Sequence, residues 1–169
     1  GGGGARGGDY YNCLFQGNLA RSYTGGGADG TLLRLYNCTV VGNHCNGSGA
    51  GLGGGGVAAY NGASVTLVNA IVYDNAIRSG ATGPNIMVHG TGVLNSTNSC
   101  THPAFDGWPA GNITNAPLFA AVGSGFGLEL VPGNYRLRGA SPCVDAGLNQ
   151  DWMAGATDLD GSRRILPSA

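Results

Sequence analysis

An eight-residue segment occurs twice in this chain with little change and a third time in a looser form. Y-N-C-L-F-Q-G-N occupies residues 11–18, Y-N-C-T-V-V-G-N occupies residues 36–43, and V-N-A-I-V-Y-D-N occupies residues 68–75. A glycine run precedes each copy, and the copies begin 25 and then 32 residues apart. Self-similarity at a period of roughly 20 to 50 residues indicates a repeat architecture in which each unit packs on the next.

The composition favours strands and turns over helices for these repeats. The 169 residues include 34 Gly and 15 Asn, no Lys, and Glu129 as the single Glu. Lys and Glu are common on helix surfaces, whereas Gly and Asn belong to turns. Because 42% of the residues are hydrophobic and the net charge is only −1, the chain is not expected to be disordered.

The charge and hydropathy patterns also limit the kinds of partner that we expect. Eight Arg face nine acidic residues and form no basic run, so we do not expect nucleic acid as a partner. No apolar stretch approaches the roughly 18 residues of a membrane span, so we do not expect membrane insertion. The chain opens on a glycine run that looks like the middle of a repeat, which suggests processing or a fragment.

Each repeat divides into short segments of alternating character separated by turns. In the second repeat, the alternation predicts that Leu33 and Leu35 share one face and that Cys38 and Val40 point inward after a turn at Asn37. We therefore predict an all-β solenoid, a parallel β-helix, with rungs of roughly 25 residues over 1–101. An irregular C-terminal segment or cap over 102–169 belongs to the same domain. A β-sandwich or jelly roll is the alternative.

Stacked rungs lie about 4.8 Å apart, so equivalent residues should form columns along the axis. Asparagine suits the corners because it tolerates left-handed backbone angles and can hydrogen-bond to the asparagine above it. Residues 93–101, V-L-N-S-T-N-S-C-T, form a weaker fourth copy. The predicted structural columns contain Asn12, Asn37 and Asn69, and Asn18, Asn43 and Asn75.

The repeat unit resembles polymorphic outer-membrane-protein repeats of the right-handed parallel β-helix superfamily, which includes pectin-lyase-like proteins. Three later segments resemble the C-terminal region of bacterial secreted proteins of the choice-of-anchor Q type. The resemblance implies a right-handed helix, bacterial-type secretion, and a location outside the cell or at its surface. The three segments are N-I-T-N-A-P-L-F (112–119), G-N-Y-R-L-R-G-A-S-P-C-V-D-A-G (133–147) and T-D-L-D-G-S-R-R-I (157–165).

Residues for polysaccharide cleavage do not cluster in the sequence. Asp29, Arg34 and Asp74 stand singly in different repeats, and solvated surface charges explain them better than a catalytic group. We assign no catalytic residue and expect no cofactor other than calcium. Asp158 and Asp160 are weak calcium candidates, and the alternative is a turn in which an aspartate binds Arg163 or Arg164.

The five cysteines contain no C-x-x-C motif. Cys100 and Cys143 lie beside prolines in loop-rich segments, where a disulfide would fasten an irregular cap, and this is the favoured pair. A rung-to-rung bond between Cys13 and Cys38 is a weaker candidate, since small core residues explain them as well. Cys45 is then left over, and Asn46 is a weak candidate for glycosylation.

We therefore expect a non-enzymatic extracellular structural or cell-surface protein. A solenoid that exposes its first rung presents unpaired strand edges, so a homo-oligomer or a polymer is expected, such as a filament or matrix subunit stacking head to tail. The alternatives are a polysaccharide-binding or polysaccharide-cleaving protein, with cell-surface polysaccharide as its partner, and a calcium-stabilised adhesin.

Overall fold

The computed structural model of the chain describes residues 2–22, 24–47, 53–78, 85–104 and 108–165. Within them, two short 3₁₀ helices occupy Gly127–Glu129 and Asp151–Met153, and no helix has the length and apolar character needed to cross a membrane. The strands are β1 (Ala5–Tyr11), β2 (Leu14–Gln16), β3 (Leu19–Ala20), β4 (Ala28–Tyr36), β5 (Thr39–Val41), β6 (His44–Cys45), β7 (Val57–Tyr60), β8 (Ser64–Val68), β9 (Ile71–Tyr73), β10 (Ala76–Ile77), β11 (Ile86–His89), β12 (Val93–Thr97), β13 (Cys100–Thr101), β14 (Phe119–Ala121) and β15 (Asn134–Leu137).

Most of these strands belong to three parallel sheets. Sheet 1 contains β1, β4, β7, β8, β11 and β12, sheet 2 contains β2, β5, β9 and β13, and sheet 3 contains β3, β6 and β10. Every strand pair within the three sheets is parallel, whereas β14 and β15 form an antiparallel hairpin. The prediction of an all-β chain with parallel sheets is confirmed.

The chain visits sheets 1, 2 and 3 in turn and then returns to sheet 1. We call each passage a rung: β1–β3 form the first rung, β4–β6 the second, β7–β10 the third and β11–β13 the fourth. The third rung crosses sheet 1 as two strands separated by a turn at residues 61–62. This turn lengthens the third repeat without disturbing its pairing, because β4 pairs with both β7 and β8.

The alternating strands place aliphatic side chains between the sheets. The strands of sheet 1 contribute four completely buried side chains: Leu33 and Leu35 of the second rung, and Val65 and Leu67 of the third. Val40 of sheet 2 is also completely buried and faces the same core. Fully burying a side chain of this size stabilises the fold by about 1.5–3 kcal/mol. These residues form a single core cluster that runs through the rungs.

The glycine runs lie where sheet 3 turns into sheet 1, and adjacent runs bond to each other. The backbone N–H of Gly26 donates to the carbonyl of Gly54 at 2.9 Å. A Cβ atom on Gly26 would lie 2.1 Å from the carbonyl oxygen of Gly55 and 2.7 Å from the backbone of His44. The runs are therefore required by the close approach of neighbouring rungs at this corner.

After the fourth rung the chain closes one end of the core and then covers its side. Ile113 extends sheet 2 through a parallel bridge to Cys100, and Trp108 packs against the end of the core. The segment joining β14 to β15 then lies against the rungs: Phe126 stacks on His44 with ring centroids 4.1 Å apart. Residues 143–157, which we call the C-terminal strap, follow β15.

Candidate functional site: two asparagine columns and the C-terminal strap

The last asparagine of each eight-residue repeat belongs to a buried asparagine ladder, formed by Asn18, Asn43, Asn75 and Asn85. The side-chain amide of Asn18 donates to Oδ1 of Asn43, that of Asn43 to Asn75, and that of Asn75 to Asn85, each at 2.9 Å. Each accepting Oδ1 also receives the backbone N–H of the residue before it in the ladder. Asn43 and Asn75 are 1% and 2% exposed, so these bonds replace those that burial removes from water.

The second column is the corner asparagine row, formed by Asn12, Asn37, Asn69 and Asn98 at the turn from sheet 1 to sheet 2. Their φ angles are 55°, 52°, 53° and 48°, in the left-handed region that Asn tolerates better than other residues with a Cβ. The Asn69 amide donates to Oδ1 of Asn37 at 3.1 Å. The turn requires this conformation, which explains the recurrence of asparagine at the second position of the repeat.

The C-terminal strap runs along the corner row from the fourth rung to the first. Asn98 donates to the carbonyl of Ala146 at 2.9 Å, and Asn12 donates to the carbonyl of Thr157 at 2.9 Å. Between them, Asn69 donates to the carbonyl of Leu148 at 2.8 Å and accepts its N–H at 2.7 Å. All these bonds go to main-chain atoms of the strap, so they do not depend on its side chains.

Aromatic rings hold the C-terminal part of the strap on the first two rungs. Trp152 meets the Tyr11 ring edge-on with centroids 5.1 Å apart, and Tyr11 stacks on Tyr36 at 4.7 Å and 12°. The Arg164 guanidinium lies 5.8 Å from the Trp152 ring centroid, and burial lowers its pKa from the ordinary value. Tyr11 and Tyr36 thus serve as a structural stack that anchors Trp152.

A cavity of about 1170 Å³ lies between the rungs and residues 133–165. Its rung side carries the corner asparagine row, and its other wall carries charges of both signs, including Arg163 and Asp145. The neighbouring Arg136 is held by a paired contact with the carboxylate of Asp160. This combination of amides and charges is suited to a polar ligand or to ordered water.

The cysteines are present as thiols, and four of them form two pairs. Cys100 and Cys143 share a thiol–thiol hydrogen bond that raises the pKa of Cys100 and lowers that of Cys143. Burial raises the pKa of Cys38 to about 12, with its neighbour Cys13 contributing in both directions. The structure therefore brings together the residues of both predicted disulfides, while the bonds themselves stay predictions.

Asp158 and Asp160 have protein partners. Oδ1 of Asp158 accepts the backbone N–H groups of Asp160 and Ser162, both at 2.9 Å, which forms a tight turn. The Asp160 carboxylate pairs with Arg136, so the arginine in this turn is neither Arg163 nor Arg164 as the sequence suggested. Across the described residues, no group of three or more His, Cys, Asp or Glu is placed to hold a metal ion.

The remaining single charges differ in environment. Arg34 forms an exposed ion pair with Asp9 at 2.9 Å, as expected of a surface charge. Asp29 is 7% exposed and accepts bonds from the Gly2 N–H and the Thr24 hydroxyl, so the expectation of a solvated charge was wrong for this residue. Asp74 occupies the position of Gly42 in the next rung and is exposed, and partial desolvation raises its pKa.

Asn46 is half-buried, and its N–H donates to the carbonyl of Ala20. The Ser48 of its sequon lies outside the described residues, so its glycosylation stays a prediction. Sequence reasoning missed Asn98 and Asn85. Asn98 was recoverable, because T-N-S-C-T at 97–101 aligns with V-N-A-I-V at 68–72. Asn85 follows Asn75 by only ten residues, and no repeat spacing points to it.

Comparison of the chain with protein-family models, with curated proteins and with solved structures finds no match.

Proposed function

We propose that this chain is a non-enzymatic structural module of the cell surface or extracellular matrix. In this proposal it is a right-handed parallel β-helix that stacks head to tail on further copies. Three parallel sheets visited in a fixed order support the helix, and parallel strands of one sheet are joined by right-handed crossovers in about 98% of cases. The resemblance of residues 133–147 to the bacterial secreted proteins supports the location.

The use of buried polar groups supports a structural role. Asn43 and Asn75 direct their amide groups along the axis, each to the next asparagine of the ladder. Their remaining donor capacity goes to nearby carbonyls, such as those of Phe15 and Tyr73. The ladder thus satisfies its own members and ties consecutive rungs together, as expected of a rigid solenoid.

The first rung supplies the observation that carries the proposal of stacking. In the described part of the chain, β1 pairs with β4 alone, and β2 and β3 are likewise the last strands of their sheets. Tyr10 and Cys13 are half-exposed, whereas their neighbours in the second rung, Leu35 and Cys38, are buried. Unpaired strand edges beside a partly open core are a surface that recruits further strands.

The opposite end offers a receiving edge in sheet 1. Among the described residues, β11 pairs with β7 alone and β12 with β8 alone. Sheet 2 is continued there by Ile113, and Trp108 covers the core, so sheet 1 carries the contact between copies. A β1 strand placed on this edge would continue its columns, with Ala5 above Ile86.

Sedimentation velocity over a concentration series, with electron microscopy of the most concentrated sample, tests the proposal. The unmodified protein should form species that grow with concentration. Tyr10→Lys places an inward-facing charge on the first rung and should give monomers, because such charges block strand addition. Val122→Lys adds the same charge at an exposed position of the hairpin segment and should still assemble. A protein that remains monomeric at every concentration refutes the stacking.

Polysaccharide binding is the second candidate function, favoured by the cavity between the corner asparagine row and residues 133–165. Side-chain amides and arginines are suited to the hydroxyl and carboxylate groups of acidic glycans. A glycan array that includes acidic and neutral oligosaccharides distinguishes this function. Selective binding of acidic members, weakened by Arg163→Gln, supports it, and a blank array rejects it.

A further inference from the structure

The first residue of the C-terminal strap, Cys143, carries a thiol that lies near the thiol of Cys100 in the fourth rung. Cys143 begins the strap, and Cys100 is the first residue of β13. The bond from Asn98 to Ala146 holds this part of the strap beside the start of β13, and the two thiols, although 42 residues separate them in the sequence, shift each other's pKa. Cys100 is 2% exposed, whereas Cys143 is half-buried, and both line the cavity between the rungs and the strap.

We propose that Cys100 and Cys143 are an oxidation site whose disulfide fastens the C-terminal strap to the fourth rung. The oxidant is a disulfide of the surroundings, either a small one such as oxidised glutathione or one carried by a thiol oxidoreductase. This inference concerns the strap and is independent of whether the module stacks on other copies.

The reaction consists of two thiol–disulfide exchanges. The Cys143 thiolate, after losing its proton to water, attacks one sulfur of the oxidant, and the first small thiol leaves with a proton from solvent. The Cys100 thiolate then attacks the Cys143 sulfur of the mixed disulfide, and the second small thiol leaves in the same way. Two protein thiols lose two electrons, and one oxidant disulfide becomes two thiols.

The surroundings assign the order of the two attacks. Cys143 is the more accessible sulfur, and the hydrogen bond that it accepts from Cys100 favours its thiolate, so its pKa is lowered. Cys100 is enclosed, and its sulfur also lies 3.4 Å from the carbonyl oxygen of Asn115. It is protected from external disulfides but lies beside the sulfur that it must attack in the second step.

The second thiol pair is less suited to oxidation. The Cys38 thiol points toward the carbonyl oxygens of Tyr10 and Tyr36, each at 3.4 Å, and is 1% exposed. Burial raises its pKa to about 12, so very little thiolate is present near neutral pH. Cys45 lies buried in sheet 3, where burial likewise raises its pKa.

A bond at Cys143 would affect the strap contacts that follow it closely. The bond from Asn98 to Ala146 is three residues away, and the double contact between Asn69 and Leu148 is five residues away. A covalent tether makes re-formation of these bonds an intramolecular event at high effective concentration. The N-terminal part of the strap should therefore separate from the rungs less often once the disulfide has formed.

The experiment uses the whole chain after reduction and after incubation with oxidised glutathione. Peptide mapping under non-reducing conditions should show one new link, between the peptides that contain Cys100 and Cys143. Hydrogen exchange at the Leu148 amide, which Asn69 protects, should slow by about tenfold or more on oxidation. Cys45→Ser should behave like the unmodified protein, and Cys143→Ser should give no link and no change in exchange.

Three results would overturn the proposal. These are glutathione remaining attached to Cys143 without resolution, a link that involves another cysteine, and unchanged Leu148 exchange in protein that carries the 100–143 link. The comparison of reduced and oxidised unmodified protein decides all three, so it does not depend on any variant folding.

Discussion

Replacement of Asn43 by alanine should cost more stability than any loss of a surface contact. Asn43 lies in the middle of the buried asparagine ladder, and its Oδ1 accepts both the N–H and the side-chain amide of Asn18. Its own amide donates to Asn75, Phe15 and Val41. Alanine leaves these buried groups without their partner, and each unsatisfied group costs about 1–3 kcal/mol. Because some find water or another partner, we expect a total of about 3–5 kcal/mol.

Chemical denaturation monitored by circular dichroism measures this loss, and the melting temperature should fall by roughly 10 °C for a chain of this size. Asn95→Ala, at an exposed position of β12, is the matched control and should change stability by less than about 0.5 kcal/mol. A value for Asn43→Ala no larger than that of the control would refute the ladder as a stabilising element.

A second substitution at the same position tests the donors alone. Asn43→Asp keeps an acceptor for Asn18 but, when ionised, turns a carboxylate toward the oxygens of Asn75, Phe15 and Val41. The folded state should raise the pKa of the new carboxyl group. Its relative stability is then highest at acid pH and declines as the pH rises through the range in which aspartate ionises in the unfolded chain. A stability difference that is flat with pH would contradict the assigned bonds.

Three further outcomes follow from other parts of the structure. Gly26→Ala should unfold the protein or lower its stability by about 3 kcal/mol or more, since a Cβ atom there would lie 2.1 Å from a carbonyl oxygen. A Cβ atom on Gly139 would have no atom within 4 Å, so Gly139→Ala should leave the stability measured by denaturation nearly unchanged. Partial desolvation raises the pKa of Asp74, although the residue is exposed, so its ionisation opposes folding only slightly. Asp74→Asn should therefore give a small gain in stability at pH 7, which thermal melts should show to disappear as the pH falls below the ordinary pKa of aspartate. A chelator should leave the melting temperature unchanged, because the Asp158 and Asp160 carboxylates bind protein groups, and a lowered melting temperature would instead indicate bound calcium.

The repeat carried most of the information about the fold. The asparagines at the second and last positions of the eight-residue segment predicted which residues stack. Each rung needs a left-handed backbone conformation at the second position and an amide bond to the next rung at the last, so asparagine recurs at both. Asn12, Asn37 and Asn69 have φ angles near 50°, and Asn18 and Asn43 bond to each other across rungs. The fourth rung was harder to recognise, since Ser99 and Cys100 replace the alanine and isoleucine of the third.

Apart from the pairing of Cys143 with Cys100, the contacts of the strap were not predictable, because the strap follows no repeat. Its bonds to Asn69 and Asn98 go through main-chain atoms, which leave no pattern in the sequence of residues 143–157. The buried state of Asp29 was missed for a related reason. Its partners, the Gly2 N–H and the Thr24 hydroxyl, are placed by the fold rather than by a motif.

The hydrogen bonds of the corner asparagine row do not by themselves fix the register of the strap, that is, which strap residue lies opposite which asparagine. Asn12 and Asn98 each offer a donor to the passing main chain, and Asn69 offers a donor and an acceptor, so a strap displaced by one or two residues could form comparable bonds. Side chains at the two ends must therefore fix the register. Cys143 meets Cys100 at the fourth rung, and Trp152 meets Tyr11 at the first. Two fixed ends then determine which strap residues face Asn69 and Asn98.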